Sequence, residues 1–445
     1  MASSTATSRA AQAQAPATQA TAAQAQAAYK IGNIFSEYDL SAFIKNPDKQ
    51  DNKYKEMLDV LNLTDKRWMQ HDQEFHILKY DRSKIQVTDV KTSGLFRSVV
   101  HANGEILAFA PPKSLNEAEF MSQYPPTECI AEEIVEGTMI NLFYSRSTQT
   151  WEIATKSTFG AKCVFFKNGE FKEEDTFRAL FFEVCQRLGF DYTSLPKENC
   201  YSFVFQHPRN RIVVPIIDMK LYLIAAYTIN NTTFEITKIA NDNLPTILQR
   251  PKTYQFTSYD DIEALITYMN DDFKETGIMI HHPLTGARMK IRNPHNEFVR
   301  RLRGNQPKLH YRYLELRQEG KVAPYLRYFP SAQAEFKVFQ AQLHTFTEEL
   351  HRLYIACYIK KTKPLMDYPA KFRTHMFQLH QIYKKRAEGP SKIITKIDVI
   401  GYVNTLPPAL LMADLNADFH VNDNAIANDN AIANDNVIAN TAADE

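Results

Sequence analysis

Glycine and cysteine are both scarce in this chain of 445 residues, and each shortage excludes a kind of site. Only 13 glycines are present, and the Gly-x-x-x-x-Gly-Lys-Ser/Thr loop that wraps nucleotide phosphates does not occur. The five cysteines are odd in number and far apart, which excludes a disulfide scaffold and the paired cysteines of a zinc site. We therefore expect reduced, mostly buried thiols in an intracellular protein.

Long apolar runs and a strong net charge are also missing. No run approaches the roughly 20 apolar residues that a membrane-spanning helix needs, so no membrane segment is predicted. The formal net charge is +1, so binding to nucleic acid has to come from local patches. The scattered histidines, including His281 and His282, lack the i, i+4 spacing and the acidic partner of a zinc protease, and no metal ligands are predicted.

Both ends of the chain differ in composition from the middle. Residues 1–28 are almost entirely Ala, Gln, Thr and Ser, have no apolar face to bury, and are predicted to form a disordered tail. Arg9 is the one arginine in this tail and no apolar core follows it, which makes the tail a poor signal peptide. Residues 413–445 carry three copies of a six-residue Asn/Asp-rich repeat, too few for a solenoid, and are predicted to be a second disordered tail.

The secondary-structure pattern of the chain between the tails changes once. From about 84 to 293, short strand-like runs alternate with helical stretches, which indicates an α+β architecture with antiparallel sheets. From about 297, apolar residues recur at steps of three and four, as in Phe336, Phe339 and Leu343, which indicates helices. We therefore predict an α+β domain over 29–296 and an all-α domain over 297–412.

The helical region is locally basic. Residues 351–396 contain eleven Lys or Arg against two acids. Such a run is usually a solvated helix face; the alternative is a surface that binds RNA phosphates, next to tyrosines whose rings can stack on bases. The candidate RNA-binding residues are Lys360, Lys361, Lys371, Arg373, Lys384, Lys385 and Arg386.

Within residues 85–295, basic residues recur inside strand-like motifs. The motifs are 96–104 with Arg97, 112–116 with Lys113, 132–144 with Glu136 and Gly137, 151–159 with Lys156, 203–213 ending in Pro-Arg-Asn-Arg-Ile-Val, and 275–292 with Lys290 and Arg292. In this order they resemble the RNA ligases of the phage tRNA-repair type, members of the covalent nucleotidyltransferase superfamily. The resemblance is carried by motifs rather than by continuous similarity, and residues 208–213 are its most specific part.

The resemblance implies a fold and a set of ligands. The fold is a nucleotidyltransferase domain with ATP-grasp-like antiparallel sheets and helices, followed by the all-α domain. ATP and Mg²⁺ are the implied cofactors, and a nucleotide or an RNA is the implied partner. In the family the basic motif residues contact nucleotide phosphates, which assigns nucleotide binding to the matching positions. The basic positions are Arg97, Lys113, Lys156, Lys290 and Arg292. Glu136 and Gly137 are added as a candidate ribose contact, although the pair is firmer as a turn signature.

The departures from the family pattern fall at positions that the family uses for the reaction itself. Ile134 occupies the position of the lysine that the family uses as nucleophile, and isoleucine has no lone pair. Val204 and Thr276 replace two acidic residues, although Glu275 lies one residue away from the second position, and Ser98 replaces a glycine. The cations survive while the nucleophile is lost, which is typical of a catalytically silent pseudoenzyme that still binds ATP or RNA.

Three other interpretations remain open at this stage. Adenylation can survive on an unconventional lysine, for which Lys156 and Lys91 are the candidates. The fold can also serve as a non-catalytic scaffold, in which case the motif cations need not share one cleft. Divergent chains of this kind resemble predicted proteins of large DNA viruses, which would place the protein in the host cytoplasm or the virion. The source, the RNA and the oligomeric state do not follow from the residues.

Overall fold

Three antiparallel sheets are formed by the chain up to Arg292. The computed structural model describes residues 27–31, 44–45, 51–165, 172–240, 248–386 and 393–416. The strands are β1 Ala28–Lys30, β2 Leu63–Gln70, β3 Gln73–Tyr80, β4 Val99–Ala102, β5 Glu105–Phe109, β6 Ile130–Glu133, β7 Thr138–Ser145, β8 Thr150–Ala154, β9 Asn199–Gln206, β10 Lys220–Asn230, β11 Glu235–Lys238, β12 Thr253–Tyr254, β13 Gly277–His281 and β14 Arg288–Arg292. Mixed helices and antiparallel sheets were predicted for this region, and the structure has them.

Helices cover one face of two sheets and make up the rest of the described chain. The helices are α1 Asn52–Val60, α2 Glu117–Gln123, α3 Phe177–Arg187, α4 Tyr259–Met269, α5 Pro294–Arg303, α6 Leu309–Gln318, α7 Val322–Tyr328, α8 Gln333–Tyr354, α9 Ala370–Lys385, α10 Lys396–Thr405 and α11 Pro408–Asn416. Described residues from 294 onward contain helices and turns but no strand. None of the described helices is both long and apolar enough to cross a lipid bilayer.

Sheet A has six strands in the order β1-β11-β10-β9-β7-β8. Strand residues alternate between its two faces, because successive side chains of a strand point in opposite directions. One face carries Ile140, Phe203 and Phe205, which pack against Phe181 of α3. The opposite face carries a buried polar group near its centre, in which Ser202 donates to Asn141 at 2.8 Å. Helix α3 therefore covers one face and leaves the other for the two smaller sheets.

Sheet D has four strands in the order β12-β6-β13-β14. Its apolar face, with Ile278, Ile280 and Met289, packs against Phe120 of α2 and Ile262 of α4. Residues of the opposite face are in register across the strands, with Glu132 beside Met279 and Met279 beside Lys290. This face is polar, although it is turned toward sheet A rather than toward bulk solvent.

Sheet C has the order β2-β3-β4-β5 and begins before residue 84, where the strand-rich region was predicted to begin. Its apolar residues share a core with sheet A, in which the Phe75 ring stacks on that of Phe159 at 4.2 Å between centroids. Helix α1 lies beside this sheet, and the Tyr54 hydroxyl of that helix donates to Asp65 of β2 at 2.9 Å.

The helices from α6 to α11 enclose a core of their own. The predicted apolar stripe lies on α8, where Phe336, Leu343, Phe346 and Leu350 are buried. After Tyr354 the chain continues through a π-helical turn, Ile355–Ile359, and then turns back before α9.

The two predicted tails fall mostly outside the described residues. At the N-terminal end Ala27 is fully buried and β1 begins at Ala28, so ordered chain begins two residues before the predicted boundary. At the C-terminal end α11 runs to Asn416 and so includes the first four residues of the predicted second tail. The expected disorder of residues 1–26 and 417–445 concerns residues outside the described ranges.

Asn293 joins sheet D to α4 and α5, and its loss is expected to destabilise the fold. Its fully buried amide donates to the carbonyls of Met269, Asp272 and Glu275 at 2.7–2.9 Å. Asn293→Ala leaves these carbonyls without that donor, so we expect the free energy of unfolding in urea to fall by about 3 kcal/mol. The matched control is Asn116→Ala, an exposed helix cap whose side-chain oxygen accepts one hydrogen bond from the N–H of Glu119, and this change should cost about 1 kcal/mol. Equal losses in the two variants would contradict this role.

Candidate functional site

The polar face of sheet D carries a row of basic residues on its last strand. Arg288, Lys290 and Arg292 alternate along β14, so their side chains share one face. The register places Arg288 opposite His281, and Lys290 opposite Met279. Arg288 is the most enclosed member of the row, and its guanidinium donates to the Pro111 carbonyl at 3.1 Å.

Sheet A contributes facing charges to the same interior. Lys238 of β11 lies within electrostatic reach of Glu132, His281 and Arg288 of sheet D. Arg250 also faces Glu132, and its guanidinium donates to the Leu223 carbonyl of sheet A at 3.4 Å. We call Glu132, Lys238, Arg250, His281 and Arg288 the inter-sheet cluster.

Burial dominates the titration of the inter-sheet cluster. Burial raises the pKa of Glu132, although Lys238 and Arg250 act in the opposite direction. Burial and the neighbouring Arg288 lower the pKa of Lys238, with Glu132 opposing. Burial, helped by Lys238 and Arg288, lowers the pKa of His281 to about 3, so this ring is neutral at neutral pH. Lys238 and Arg250 thus face Glu132, and Arg288 faces Lys238 and His281, so the cluster contains three basic side chains and one carboxyl group.

A second group of cations gathers around the ring of Tyr80, at the end of β3. The ammonium of Lys156 lies 4.9 Å from the centroid of this ring, and that of Lys113 lies 5.9 Å from it. Lys156 is nearly buried and stands in a tight turn closed by the Thr155 hydroxyl, which accepts from the backbone N–H of Thr158 at 3.0 Å. Sequence-distant cations thus meet at one aromatic side chain.

Arg97 connects the two groups of charges. It follows Phe96, whose carbonyl accepts from the N–H of Tyr80 at 2.7 Å, so the backbone of Arg97 lies near that of Tyr80. Arg97 and Arg288 both act electrostatically on the buried Tyr227 of sheet A. Three of the predicted nucleotide-binding residues, Arg97, Lys113 and Lys156, therefore lie close together where the three sheets meet.

Lys113 is placed by the same junction of sheets. Its N–H donates to the Gly94 carbonyl at 2.9 Å, and a Cβ on Gly94 would lie 3.3 Å from its own Cβ. Two residues further on, the N–H of Leu115 donates to the carbonyl of Arg288 at 2.8 Å. The segment that carries Lys113 is therefore bound to sheet C at one end and to sheet D at the other.

Glu136 and Gly137 are committed to the backbone of the loop that follows β9. The Glu136 carboxylate accepts from the N–H groups of Val213 and Val214 at 2.9 and 2.7 Å. Burial raises its pKa to about 7, although these two bonds act to lower it. Gly137 has a positive φ, and a Cβ there would lie 2.5 Å from the Phe205 carbonyl oxygen. Both residues act here in positioning the loop.

Ile134 lies between β6 and β7, and its N–H donates to the Gly277 carbonyl at 2.9 Å. This bond extends the β6–β13 ladder by one residue, so alternation puts the Ile134 side chain on the same face as Glu132. An aliphatic side chain thus lies at the edge of the charged interior, the space between sheets A and D that holds the inter-sheet cluster. Val204, the second departure, is nearly buried on the face of β9 turned away from α3.

The remaining candidates of the ligase-like motifs lie at the periphery. Arg292 is within 3.9 Å of Glu297 at the start of α5. Glu275, one residue from the acidic position that Thr276 occupies, is exposed. Lys91, the rival nucleophile, is exposed, and its ammonium donates to Gln123 at 2.6 Å.

The charged interior does not supply the set of ligands that would hold a Mg²⁺ ion. Octahedral Mg²⁺ is held by carboxylates and water, and Glu132 is the one carboxylate of the inter-sheet cluster, already facing Lys238 and Arg250. Among the described residues, the grouping with metal-ligating geometry is elsewhere, on sheet C. No chemical step through a protein-bound Mg²⁺ is derived for this interior.

The predicted RNA-binding residues are distributed between the two ends of α9. Lys371 and Lys384 are separated by about 20 Å along the helix, at 1.5 Å per residue. At the C-terminal end the His380 ring stacks on Tyr358 at 4.0 Å and on Tyr383 at 5.6 Å between centroids. Exposed lysines flank this aromatic stack, namely Lys360, Lys361, Lys384 and Lys385.

The other predicted RNA-binding residues have different surroundings. Arg373 donates to the Tyr368 carbonyl at 2.6 Å, and Lys371 lies 5.2 Å over the Phe372 ring. Arg386 forms an ion pair with Asp398 of α10 at 2.6 Å. These three side chains are therefore engaged within the helical region, whereas the four lysines at the aromatic stack extend into solvent.

Sequence reasoning missed most of the inter-sheet cluster. Arg288 is the one member with a visible signal, because the alternation Arg288-x-Lys290-x-Arg292 puts it on the face of the two predicted residues. Lys238, Arg250 and Glu132 come together only through the packing of separate strands.

No family model matches the chain, and no curated protein matches it. A solved structure described as a putative ATP-dependent DNA ligase from Aquifex aeolicus is similar with a TM-score of 0.33 and 11% identity, over 82% of this chain and 79% of that chain. Two structures of an archaeal ATP-dependent RNA ligase have TM-scores of 0.36 and 0.34 and identities of 12% and 10%, over 64% and 65% of this chain and 70% of each of those chains.

The neutral, buried His281 is expected to make stability fall in mild acid. Its pKa is about 3 in the folded chain and 6.5 in the unfolded one, so the unfolded state binds more protons between these values. Stability from this residue is present above pH 6.5 and is lost as the pH falls. From pH 7 to pH 5 the loss amounts to about 2 kcal/mol, which His281→Gln should remove. Urea unfolding at both pH values measures it, with the exposed His344→Gln as control. An unchanged pH dependence in His281→Gln would contradict the buried neutral state.

Proposed function

We propose that this protein is an RNA-ligase-like nucleotidyltransferase-fold protein that binds a nucleotide or RNA and has degenerate or lost adenylation activity. The observation that carries the proposal is the placement of the Lys113 and Lys156 ammonium groups at the Tyr80 ring, with Arg97 next to the residue whose carbonyl accepts from Tyr80. Cations gathered in this way offer a polyphosphate several charge-assisted hydrogen bonds at once.

The net charge of the inter-sheet cluster supports the same ligand class. Burying a cation costs several kcal/mol unless an anion faces it, and Glu132 is a single anion for Lys238, Arg250 and Arg288. A phosphate placed between the two sheets would offset that excess. Lys290, next to Arg288 on the same face of β14, extends the basic surface toward the sheet edge.

The residues at the reactive positions support loss of the chemistry. Ile134 lies at the edge of the charged interior, where the resemblance expects the nucleophilic lysine. Val204 and Thr276 replace the acids that would help to hold a metal ion. Phosphate binding needs only the cations, so binding and adenylation can be lost independently.

A second candidate function is covalent nucleotidyl transfer on another lysine. Lys156 and Lys91 are the candidates from the sequence, and the structure adds Lys238. A nucleophilic amine must be neutral when it attacks, and burial beside Arg288 lowers the pKa of Lys238 toward that state. In such a step the amine would form a bond to the α-phosphorus and release pyrophosphate.

ATP binding without covalent labelling is the expected result of the deciding experiment. The full chain is incubated with α-labelled ATP and Mg²⁺ or Mn²⁺ and run on a denaturing gel, and ATP affinity is measured by equilibrium binding. We expect no labelled band, and at least tenfold weaker binding in Lys290→Ala and Lys156→Ala because each removes a phosphate contact. Lys55→Ala, at an exposed site on α1, is the control and should bind normally.

The other outcomes separate the alternatives. A labelled band would overturn the loss of adenylation, and peptide mapping would then choose among Lys91, Lys156 and Lys238. If the chain shows neither a labelled band nor ATP binding, the scaffold interpretation remains.

RNA binding by the helical region is expected to depend on the lysines at the aromatic stack. Replacing Lys384 and Lys385 together by Ala should weaken binding to single-stranded RNA about tenfold and reduce the slope of log K against log salt by about 1.4, because two phosphate contacts are lost. The matched control replaces Lys371 and Arg373, which are engaged inside the helical region. Fluorescence anisotropy with labelled oligonucleotides measures both. Equal effects of the two double variants would argue against a defined RNA surface at the stack.

A further inference from the structure

Sheet C carries a group of metal-ligating side chains remote from the charged interior. Asp65 of β2, His76 of β3 and His101 of β4 each offer one ligand atom, and these atoms all lie within 4.8 Å of one another. His76 and His101 are directly opposite each other in the β3–β4 register. Asp65 lies on the same face of the sheet, and both of its carboxylate oxygens are 3.2 Å from Nδ1 of His76.

His101 is the unusual member of the group. It is 1% exposed, and neither of its ring nitrogens has a hydrogen-bond partner among the described residues. A neutral imidazole carries one donor and one acceptor, and leaving such groups unsatisfied in a buried site costs about 1–3 kcal/mol each. Its ring lies against that of His76, with the centroids 4.6 Å apart. A ligand for the free lone pair would account for a buried histidine at this position.

The charge around the group favours a cation. With neutral imidazoles the local charges are the carboxylates of Asp65 and Glu74 and the guanidinium of Arg67. They sum to one negative charge. Glu74 also lies close, with its carboxylate 3.4 Å from Nε2 of His76.

We propose that Asp65, His76 and His101 form a binding site for a zinc ion. Two imidazoles and a carboxylate are a ligand set that Zn²⁺ accepts, whereas Mg²⁺ and Ca²⁺ prefer oxygen ligands throughout. Tetrahedral bonds of about 2.0–2.2 Å put ligand atoms roughly 3.4 Å apart, so the side chains close by roughly 1 Å on binding. One imidazole also rotates, because the two rings now lie 17° from parallel.

The ligands come from three adjacent strands, which defines the role of the ion. It cross-links β2, β3 and β4, and Asp65 further connects it to α1 through the Tyr54 hydroxyl. Tyr80 lies four residues after His76 on the same face of β3, about 13 Å away. The zinc ion therefore stabilises β3, the strand that ends at Tyr80, without contacting the cations around the Tyr80 ring.

Zinc titration of the chelator-treated full chain tests the proposal, with no nucleotide present. We expect one equivalent of Zn²⁺ to bind by calorimetry, and the thermal midpoint to rise, because a ligand that binds only the folded state stabilises it. His101→Phe should weaken zinc binding at least 100-fold while keeping a ring against His76. The exposed His344→Phe is the matched control and should bind as the unchanged protein does.

Cobalt substitution identifies the ligands independently of stability. Co²⁺ at this site should give the weak visible bands of a nitrogen and oxygen environment, without the intense near-ultraviolet absorption of a thiolate ligand. Thiolate absorption would place the metal at a cysteine and overturn the proposal, as would zinc binding that His101→Phe leaves intact or the absence of binding at tens of micromolar. ATP binding should survive His101→Phe, so failure of the zinc site is distinguishable from failure of the proposed function.

Discussion

The burial of several cations beside a single carboxylate is the constraint on which the interior between sheets A and D depends. Lys238 and Arg288 lose most of their contact with water on folding, Arg250 is partly buried, and Glu132 is the acid that faces Lys238 and Arg250. Two of the cations are also held by backbone, since Arg288 donates to Pro111 and Arg250 donates to Leu223. Carbonyl oxygens solvate a guanidinium without neutralising it. The interior is thereby stable enough to form and still carries positive charge for an anionic ligand.

This constraint explains why the three sheets meet where they do. Helices cover one face of sheet A and the apolar face of sheet D, whereas the other face of sheet A packs on the apolar core of sheet C and also meets the polar face of sheet D. The link between sheets C and D carries Lys113, and the turn after β8 carries Lys156, so closing the junction brings both amines to Tyr80. Close packing at Gly137, where a side chain would strike the Phe205 carbonyl, fixes the entry of β7 beside this junction.

Local patterns in the sequence predicted the antiparallel strands and the apolar stripe of α8, because alternation and helical periodicity are set by neighbouring residues. The group of cations around Tyr80 could be predicted in part from the sequence. Motif order identified Arg97, Lys113 and Lys156, although their meeting at Tyr80 is a long-range contact. Glu136 was assigned to a nucleotide, whereas its carboxylate accepts from two backbone N–H groups of the following loop.

The histidines of sheet C were missed for the same reason. His76 and His101 are 25 positions apart, and a search for i, i+4 spacing on a helix cannot find ligands that a β ladder brings together. Their pairing depends on strand register, which packing decides.

Ile134 lies at the edge of the space that the buried cations occupy. This separation affects which side chains of the protein can change. The cations around Tyr80 and in the inter-sheet cluster are held by contacts with three sheets, so replacing one disturbs packing as well as binding. Ile134 is held mainly by its backbone, through the bond from its N–H to Gly277, and its side chain stands at the edge of the interior. A change of side chain there costs the fold little. The side chain at this position can therefore change while the cations beside it are retained by the requirements of folding.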